Sequence, residues 1–254
     1  MYIESRAAGT ATAKAAAATE LPTPREFMTA RRRRARLSGW WTRSMVYRWQ
    51  MAVSLRAAAK RGTDIVGSLS GLVLLAPLLL LTALAIRMES PGPVLFRQTR
   101  VGKRGRPFTM YKFRSMRITA ESERDALRGD NESADGVIFK LKADPRITRV
   151  GRLIRRLSID ELPQLLNVLS GDMSIVGPRP ALPSEVDQYD VQARKRLQTK
   201  PGLTCLWQIG GRSDLPFTRQ VELDLRYLGG KSLLKDLEII ARTVPAVVSG
   251  KGAY

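Results

Sequence analysis

The sequence predicts an α+β chain, mainly helical, in which a re-entrant membrane helical hairpin precedes a small cytoplasmic domain containing a short β-hairpin. Three observations predict it. An uncharged apolar run from Ile65 to Ile86 is long enough to enter a hydrocarbon layer; two strand-like runs follow it, separated by glycines and a proline; and from Ile147 apolar residues recur at helical spacing. The expected organisation is a disordered basic tail over 1–39, an interfacial amphipathic segment over 40–60, the membrane helix over 61–90 and the cytoplasmic domain over 91–254.

Residues 1–39 are rich in Ala, Thr, Pro and Arg with little apolar periodicity, a composition that buries too little surface to offset chain entropy. The run Arg31 to Arg34 suits anionic headgroups, at about 1 kcal/mol per residue close to a membrane, and equally suits a solvated charge run. Trp40, Trp41, Tyr47 and Trp49 then alternate with Arg43, Arg48 and Arg56, and indoles mixed with arginines favour a bilayer surface.

The apolar run carries Lys60 and Arg61 before it and Arg87, Arg97, Arg100, Lys103, Arg104 and Arg106 after it, so the distribution of positive charge places both ends on the cytoplasmic side. Pro77 stands near its middle, where a missing N–H and a ring clash break or kink a helix. A hairpin that enters and turns back satisfies both facts. A kinked single span is the alternative, because membrane helices tolerate proline.

Beyond the turn at Pro91, Gly92 and Pro93, strands are expected over 94–100 and 108–113, the second carrying Lys112 and Arg114 on one face. Residues 120–135 are charged and loop-like. Asp144 is expected to cap a helix that has Pro145 at its first position and Ile147, Val150, Ile154 and Leu157 on its apolar face.

Composition narrows the chemistry. Lys and Arg number 43 against 23 Asp and Glu, a net charge of +20, so anionic partners are favoured. The absence of any His excludes imidazole bases, Ser-His-Asp triads and HExxH zinc sites. Cys205 is the only cysteine, which excludes internal disulfides and cysteine zinc clusters and fits a protein facing the cytoplasm. Walker A and GxGxxG loops are also missing, so side chains must hold any bound phosphate. No nucleic acid is expected, since the chain has neither an RNP-like nor a helix-turn-helix signature.

Ser158-Ile159-Asp160-Glu161-Leu162-Pro163 opens a second expected helix, with apolar residues Leu162, Leu165, Leu166 and Leu169 and a stop at Gly171. Ser158 and Glu161 match a capping box, which gives the two acids a purely structural reading. Their surroundings support another. Arg155 and Arg156 lie just upstream, so a phosphate could sit over the pair, one carboxylate attacking phosphorus while the other holds an oxygen-preferring divalent ion. Farther on, Pro178 and Pro180 stiffen a loop around Arg179, a guanidinium shaped for bidentate phosphate contact.

The run RRLSIDELPQLLNVLSGDMSIVGPRP, with YKFRSM upstream and KPGLTCLWQIGGRS downstream, resembles the bacterial sugar transferase family, the monotopic polyprenyl-phosphate phosphoglycosyl transferases that include undecaprenyl-phosphate glucose and galactose phosphotransferases. The resemblance covers about Lys60 to Tyr254. It implies an enzyme of the bacterial inner membrane whose catalytic domain faces the cytoplasm and which transfers a sugar 1-phosphate from a UDP-sugar to undecaprenyl phosphate at the start of exopolysaccharide, capsule or O-antigen assembly. It implies that Asp160 is the nucleophile, that Glu161 is associated with Mg²⁺, that Lys112, Arg155 and Arg179 hold phosphates, and that Pro77 marks the break of a re-entrant helix. Two departures stand out: Ala76 where relatives often have serine, and Cys205 where glycine is usual.

Overall fold

The computed structural model describes residues 24–123, 132, 141, 143–250 and 252. Two compact units divide the chain, Met1–Ala58 and Ala59–Tyr254. The helix α1, Pro24–Leu74, supplies everything described of the first. Residues 24–39, expected as tail, are therefore helical. Ala, Arg, Leu and Met all have high helix propensity, which an argument from apolar periodicity overlooks. Residues 1–23 lie outside the described residues. Trp41, Tyr47 and Trp49 of this unit are exposed.

In the second unit α1 ends at Leu74 and α2, Ala76–Glu89, begins at once. The two are bent by 61° at Leu75, with Pro77 in the first turn of α2. There the proline lacks only an N–H that would be unpaired in any case, so it starts the second arm instead of kinking a continuous helix. No single described helix is long and apolar enough to cross a membrane, whereas the bent pair together meets that test by length and composition.

The base of the first arm is tied down by charge. Asp64, buried at 4 % exposure, accepts from Ser174 Oγ at 3.0 Å and Ile175 N at 2.9 Å, and Lys60 Nζ lies 2.7 Å from Asp236 Oδ2. Arg61 donates to the carbonyls of Val168 and Leu169. One turn farther on, a Cβ added at Gly67 would stand 2.6 Å from Ile175 Cδ1, so glycine permits the close approach of helix and domain.

The predicted hairpin forms from β1, Leu95–Val101, and β2, Pro107–Phe113, antiparallel in the register Leu95 to Phe113. Both strands sit within a residue of expectation at every end. The next helix starts later than expected: α3 is Arg149–Arg156, capped by Thr148, whose hydroxyl accepts from Gly151 N. Asp144 instead folds back on Arg146, accepting from its backbone N and guanidinium, the local bonding by which Asp competes with a helix start. Glu89, at the end of α2, accepts from the N–H groups of Arg149 and Val150, and Ile86, Phe113 and Ile154 form a buried cluster beneath that joint. The charged loop expected over 120–135 is described only to residue 123, as turn, and at residue 132.

After α3 the chain makes a 3-10 turn, Ile159–Glu161, before α4, Gln164–Ser170, which stops at the left-handed Gly171 as predicted. Its buried face is Gln164, Leu165, Asn167 and Val168; Leu166 is exposed, contrary to the expected apolar stripe. The helix begins six residues later than Ser158, and its inner face carries Asn167, which bonds to β2. A parallel pair then appears that three-residue strands gave no periodicity to reveal: β3, Ser174–Val176, beside β4, Gly202–Thr204. The crossover between them carries α5, Pro183–Asp187, and α6, Val191–Arg194, and α7, Phe217–Gly229, and α8, Leu233–Ser249, close the described fold. Gly177 and Gly202 meet backbone to backbone; a Cβ on Gly202 would lie 2.0 Å from Gly177 N, so no other residue fits.

Candidate active site

Asp160 and Glu161 stand in the 3-10 turn between α3 and α4, and neither side chain caps a helix. The capping box is not formed. Ser158 takes a left-handed backbone, φ 52°, with no cap hydrogen bond, and Glu161 reaches away to Lys112, whose Nζ lies 2.7 Å from Glu161 Oε1. Lys112 comes from β2, and β2 is fixed by Asn167 of α4: its Oδ1 accepts from Tyr111 N at 3.0 Å and its Nδ2 donates to Thr109 O at 2.7 Å. One side-chain amide thus sets the distance between the lysine and the acidic turn.

Arg179 is held by the loop and by Glu185, whose carboxylate oxygens lie 3.4 Å from its Nη1. Glu185 is buried and also accepts from Leu182 N at 2.9 Å, which fixes it to the start of α5. Arg155 points from the last turn of α3. All five predicted polar residues, Lys112, Arg155, Asp160, Glu161 and Arg179, line one cavity of about 1430 Å³, which also reaches Leu75 and Leu78 beside the helix break. Pro77 is at the break but is not part of that lining.

Electrostatics divides the acidic pair. Burial pushes the Asp160 carboxyl up to about 6; Lys112 and Arg155 oppose this and Glu161 adds to it. Burial acts the same way on Glu161, but the charge and hydrogen bond of Lys112, with the charges of Arg179 and Arg100, outweigh it and hold that carboxyl below its ordinary value. Glu161 is therefore the settled anion and Asp160 the one poised to change protonation, the separation expected of two neighbouring acids with different tasks.

Comparison with known proteins follows the same residues. The model of the bacterial sugar transferase family matches residues 55–250. The chain belongs to the bacterial sugar transferase family. The chain is 45% identical over 213 residues to a UDP-glucose:undecaprenyl-phosphate glucose-1-phosphate transferase of Caulobacter vibrioides, covering 81% of the chain and 74% of that protein. It is 40% identical over 199 residues to the exopolysaccharide production protein ExoY of Sinorhizobium fredii, covering 77% and 88%. It is also 45% identical over 196 residues to the galactosyl transferase CpsE of Streptococcus agalactiae, and there it spans only 43% of the longer protein.

Residues that pattern reading missed also hold this arrangement together. Asn167 was hidden inside an apolar helix, Glu185 in a short loop helix, and Asp64 at the edge of an uncharged run; their partners lie 6 to 111 positions away, beyond any local signal. Cys205 is buried, and it is not among the residues with a left-handed backbone, so a cysteine in place of glycine imposes no strain there. The group at the centre has the chemistry for phosphoryl transfer: a buried carboxylate with a raised pKa, a second carboxylate kept ionised, and cations from three elements facing them.

Proposed function

We propose that this transferase moves a sugar 1-phosphate, glucose or galactose 1-phosphate, from a UDP-sugar to undecaprenyl phosphate and releases UMP. The observation that carries the reading is the single cavity joining Asp160, Glu161 and their cations to the apolar residues Leu75 and Leu78 at the helix break, since a polar diphosphate and a lipid-borne phosphate must meet at one carboxylate. The names of the Caulobacter and Streptococcus relatives support the two substrates and the sugars.

In the proposed mechanism a carboxylate oxygen of Asp160 attacks the β-phosphorus of the UDP-sugar. A new P–O bond forms to Asp160, the bond from the β-phosphorus to the bridging oxygen breaks, and that oxygen leaves with UMP. An oxygen of undecaprenyl phosphate then attacks the same phosphorus, which returns Asp160 as carboxylate and leaves the sugar on an undecaprenyl diphosphate. Two displacements at one carboxylate split a difficult transfer into two easier steps. Lys112, Arg155 and Arg179 neutralise phosphate oxygens as charge shifts during each step.

Mg²⁺ fits the donor set. No cluster of three Asp, Glu, Cys or His is found among the described residues, but this ion is commonly held by one or two carboxylates together with substrate phosphates, and Glu161 is the carboxylate kept ionised for that. Bound there, the ion would withdraw charge from the diphosphate oxygens.

The bend at Leu75 supports a re-entrant arrangement in the bacterial inner membrane, with α1 entering from Lys60 and Arg61, α2 returning to Arg87, and the catalytic domain on the cytoplasmic side. Exposed Trp41, Tyr47 and Trp49 suit a segment lying at the lipid surface. A decisive experiment incubates the full chain with Mg²⁺, undecaprenyl phosphate and a panel of UDP-sugars, measures UMP, and looks by intact-protein mass spectrometry for an added phosphosugar. UMP release with one or two hexoses and an adduct absent from Asp160→Asn is expected. Equal transfer by Asp160→Asn would sink the assignment.

A further inference from the structure

Three residues after β4 that line the cavity each carry a buried polar atom with no hydrogen-bond partner among the described residues: Arg212 Nη1, Trp207 Nε1 and Gln220 Oε1. Only Arg212 carries a charge. Its side chain is 9 % exposed, and burying a guanidinium with an unpaired N–H is costly unless something arrives to pair it. Glu161 is not hydrogen-bonded to that atom and acts on Arg212 only through its charge, its own close contact being Lys112 Nζ at 2.7 Å.

The backbone carries a second sign. Arg212 has φ 51° and Ser158 φ 52°, two non-glycine residues in the left-handed region, and they bond to each other, Arg212 Nη2 donating to Ser158 Oγ at 3.3 Å. Ser158 stands two residues before Asp160. Arg212 is fixed from its other end by its own N–H, which donates to Trp207 O at 3.0 Å. Strained conformations persist where the surrounding structure enforces them, and they cluster where a side chain must be aimed. Here the strain aims one edge of a guanidinium at Ser158 and leaves the other, buried in the cavity wall, without a hydrogen-bond partner.

We propose that Arg212 is a substrate-binding residue, its free Nη1 taking a phosphate oxygen of the donor's diphosphate while Nη2 rests on Ser158. This rests on the diphosphate-sugar reading above and adds to it a fourth cation, on an element distinct from those carrying Lys112, Arg155 and Arg179. A fork with one prong anchored suits a phosphate better than a lysine would, because the free prong's direction is set before the ligand arrives. Its burial also holds the Arg212 pKa below the usual guanidinium value, and an incoming anion relieves that.

The test compares parent and Arg212→Gln, full chain with Mg²⁺, by calorimetry with UDP, inorganic pyrophosphate and uridine. The expected result is a loss of roughly tenfold to a hundredfold for UDP and pyrophosphate, the scale of a hydrogen bond to a charged group, with uridine unchanged. Arg212→Lys should recover part of the pyrophosphate affinity. If the variant binds pyrophosphate as the parent does, or if uridine weakens as much as UDP, Arg212 only shapes the Ser158 turn and the proposal is overturned. A parent that binds pyrophosphate but releases UMP from no UDP-sugar would refute the donor assignment, while the pyrophosphate loss in Arg212→Gln would still uphold Arg212. A parent that binds neither anion refutes both.

Discussion

Lys112 Nζ lies 2.7 Å from Glu161 Oε1, and a strand residue thereby sets its positive charge beside both acids of the turn. Its charge lowers the Glu161 carboxyl and restrains the rise at Asp160. Lys112→Met should therefore reduce kcat/KM by roughly a hundredfold, the scale of losing one preorganised charge contact. It should also move the acid limb of the pH–rate profile to higher pH, because Asp160 loses the cation that opposes its burial. Kinetics between pH 5 and 9 check both, and a limb that stayed in place would show that the lysine acts on substrate alone.

For the parent enzyme kcat/KM should rise as pH increases through about 6 and then level, since the proposed attack on phosphorus needs Asp160 ionised and its carboxyl is held near that value. The sign is fixed by the group's role. A general acid at this position would give the opposite slope, and initial-rate UMP release across the range separates the two.

Asp160→Asn should lose activity by at least about 10⁴-fold and yet melt higher than the parent at pH 7.5. The folded-state pKa of Asp160 is raised from 3.8 to about 6, so ionising it opposes folding above pH 6, by an amount on the order of 3 kcal/mol at most. Below about pH 4 the carboxyl is protonated in folded and unfolded chains alike. The two melting curves should accordingly converge there, which differential scanning calorimetry in detergent can follow.

Asn167→Ala removes both bonds of the amide and leaves Tyr111 N and Thr109 O without their partner, a loss of about 2–4 kcal/mol if each unpaired group costs its usual desolvation. Because the same amide spaces Lys112 from Glu161, kcat should fall even at temperatures where the variant is fully folded. Denaturant unfolding and activity at low temperature measure the two effects independently.

Glu185→Gln keeps an acceptor for Leu182 N but removes the charge beside Arg179. The guanidinium is then less firmly placed, and KM for the nucleotide sugar should rise about threefold to tenfold while the melting temperature changes little, a pairing that steady-state kinetics and calorimetry can test.

Much of the site was legible because its parts are local. Asp160, Glu161 and Arg155 lie within seven consecutive positions, and the strands of the hairpin announce themselves through the glycines and proline between them. Pro77 was legible for the same reason, though it serves as the start of α2 and not as a kink within one helix. The capping box failed because both of its residues had stronger partners far away, Lys112 for Glu161 and Arg212 for Ser158, 49 and 54 positions distant. Such partners appear only once β2 and the segment after β4 have been folded against the turn. β3 and β4, at three residues each, are too short to show alternation, and their pairing depends on Gly177 and Gly202 touching across the fold.

The amide of Asn167 has one more effect. It occupies Tyr111 N and Thr109 O, the backbone groups on the side of β2 away from β1, in the way a neighbouring strand would. A two-stranded ribbon otherwise offers that row to any extended chain nearby. Asn167 acts as a one-residue stand-in for a third strand and closes the ribbon to self-association by edge pairing.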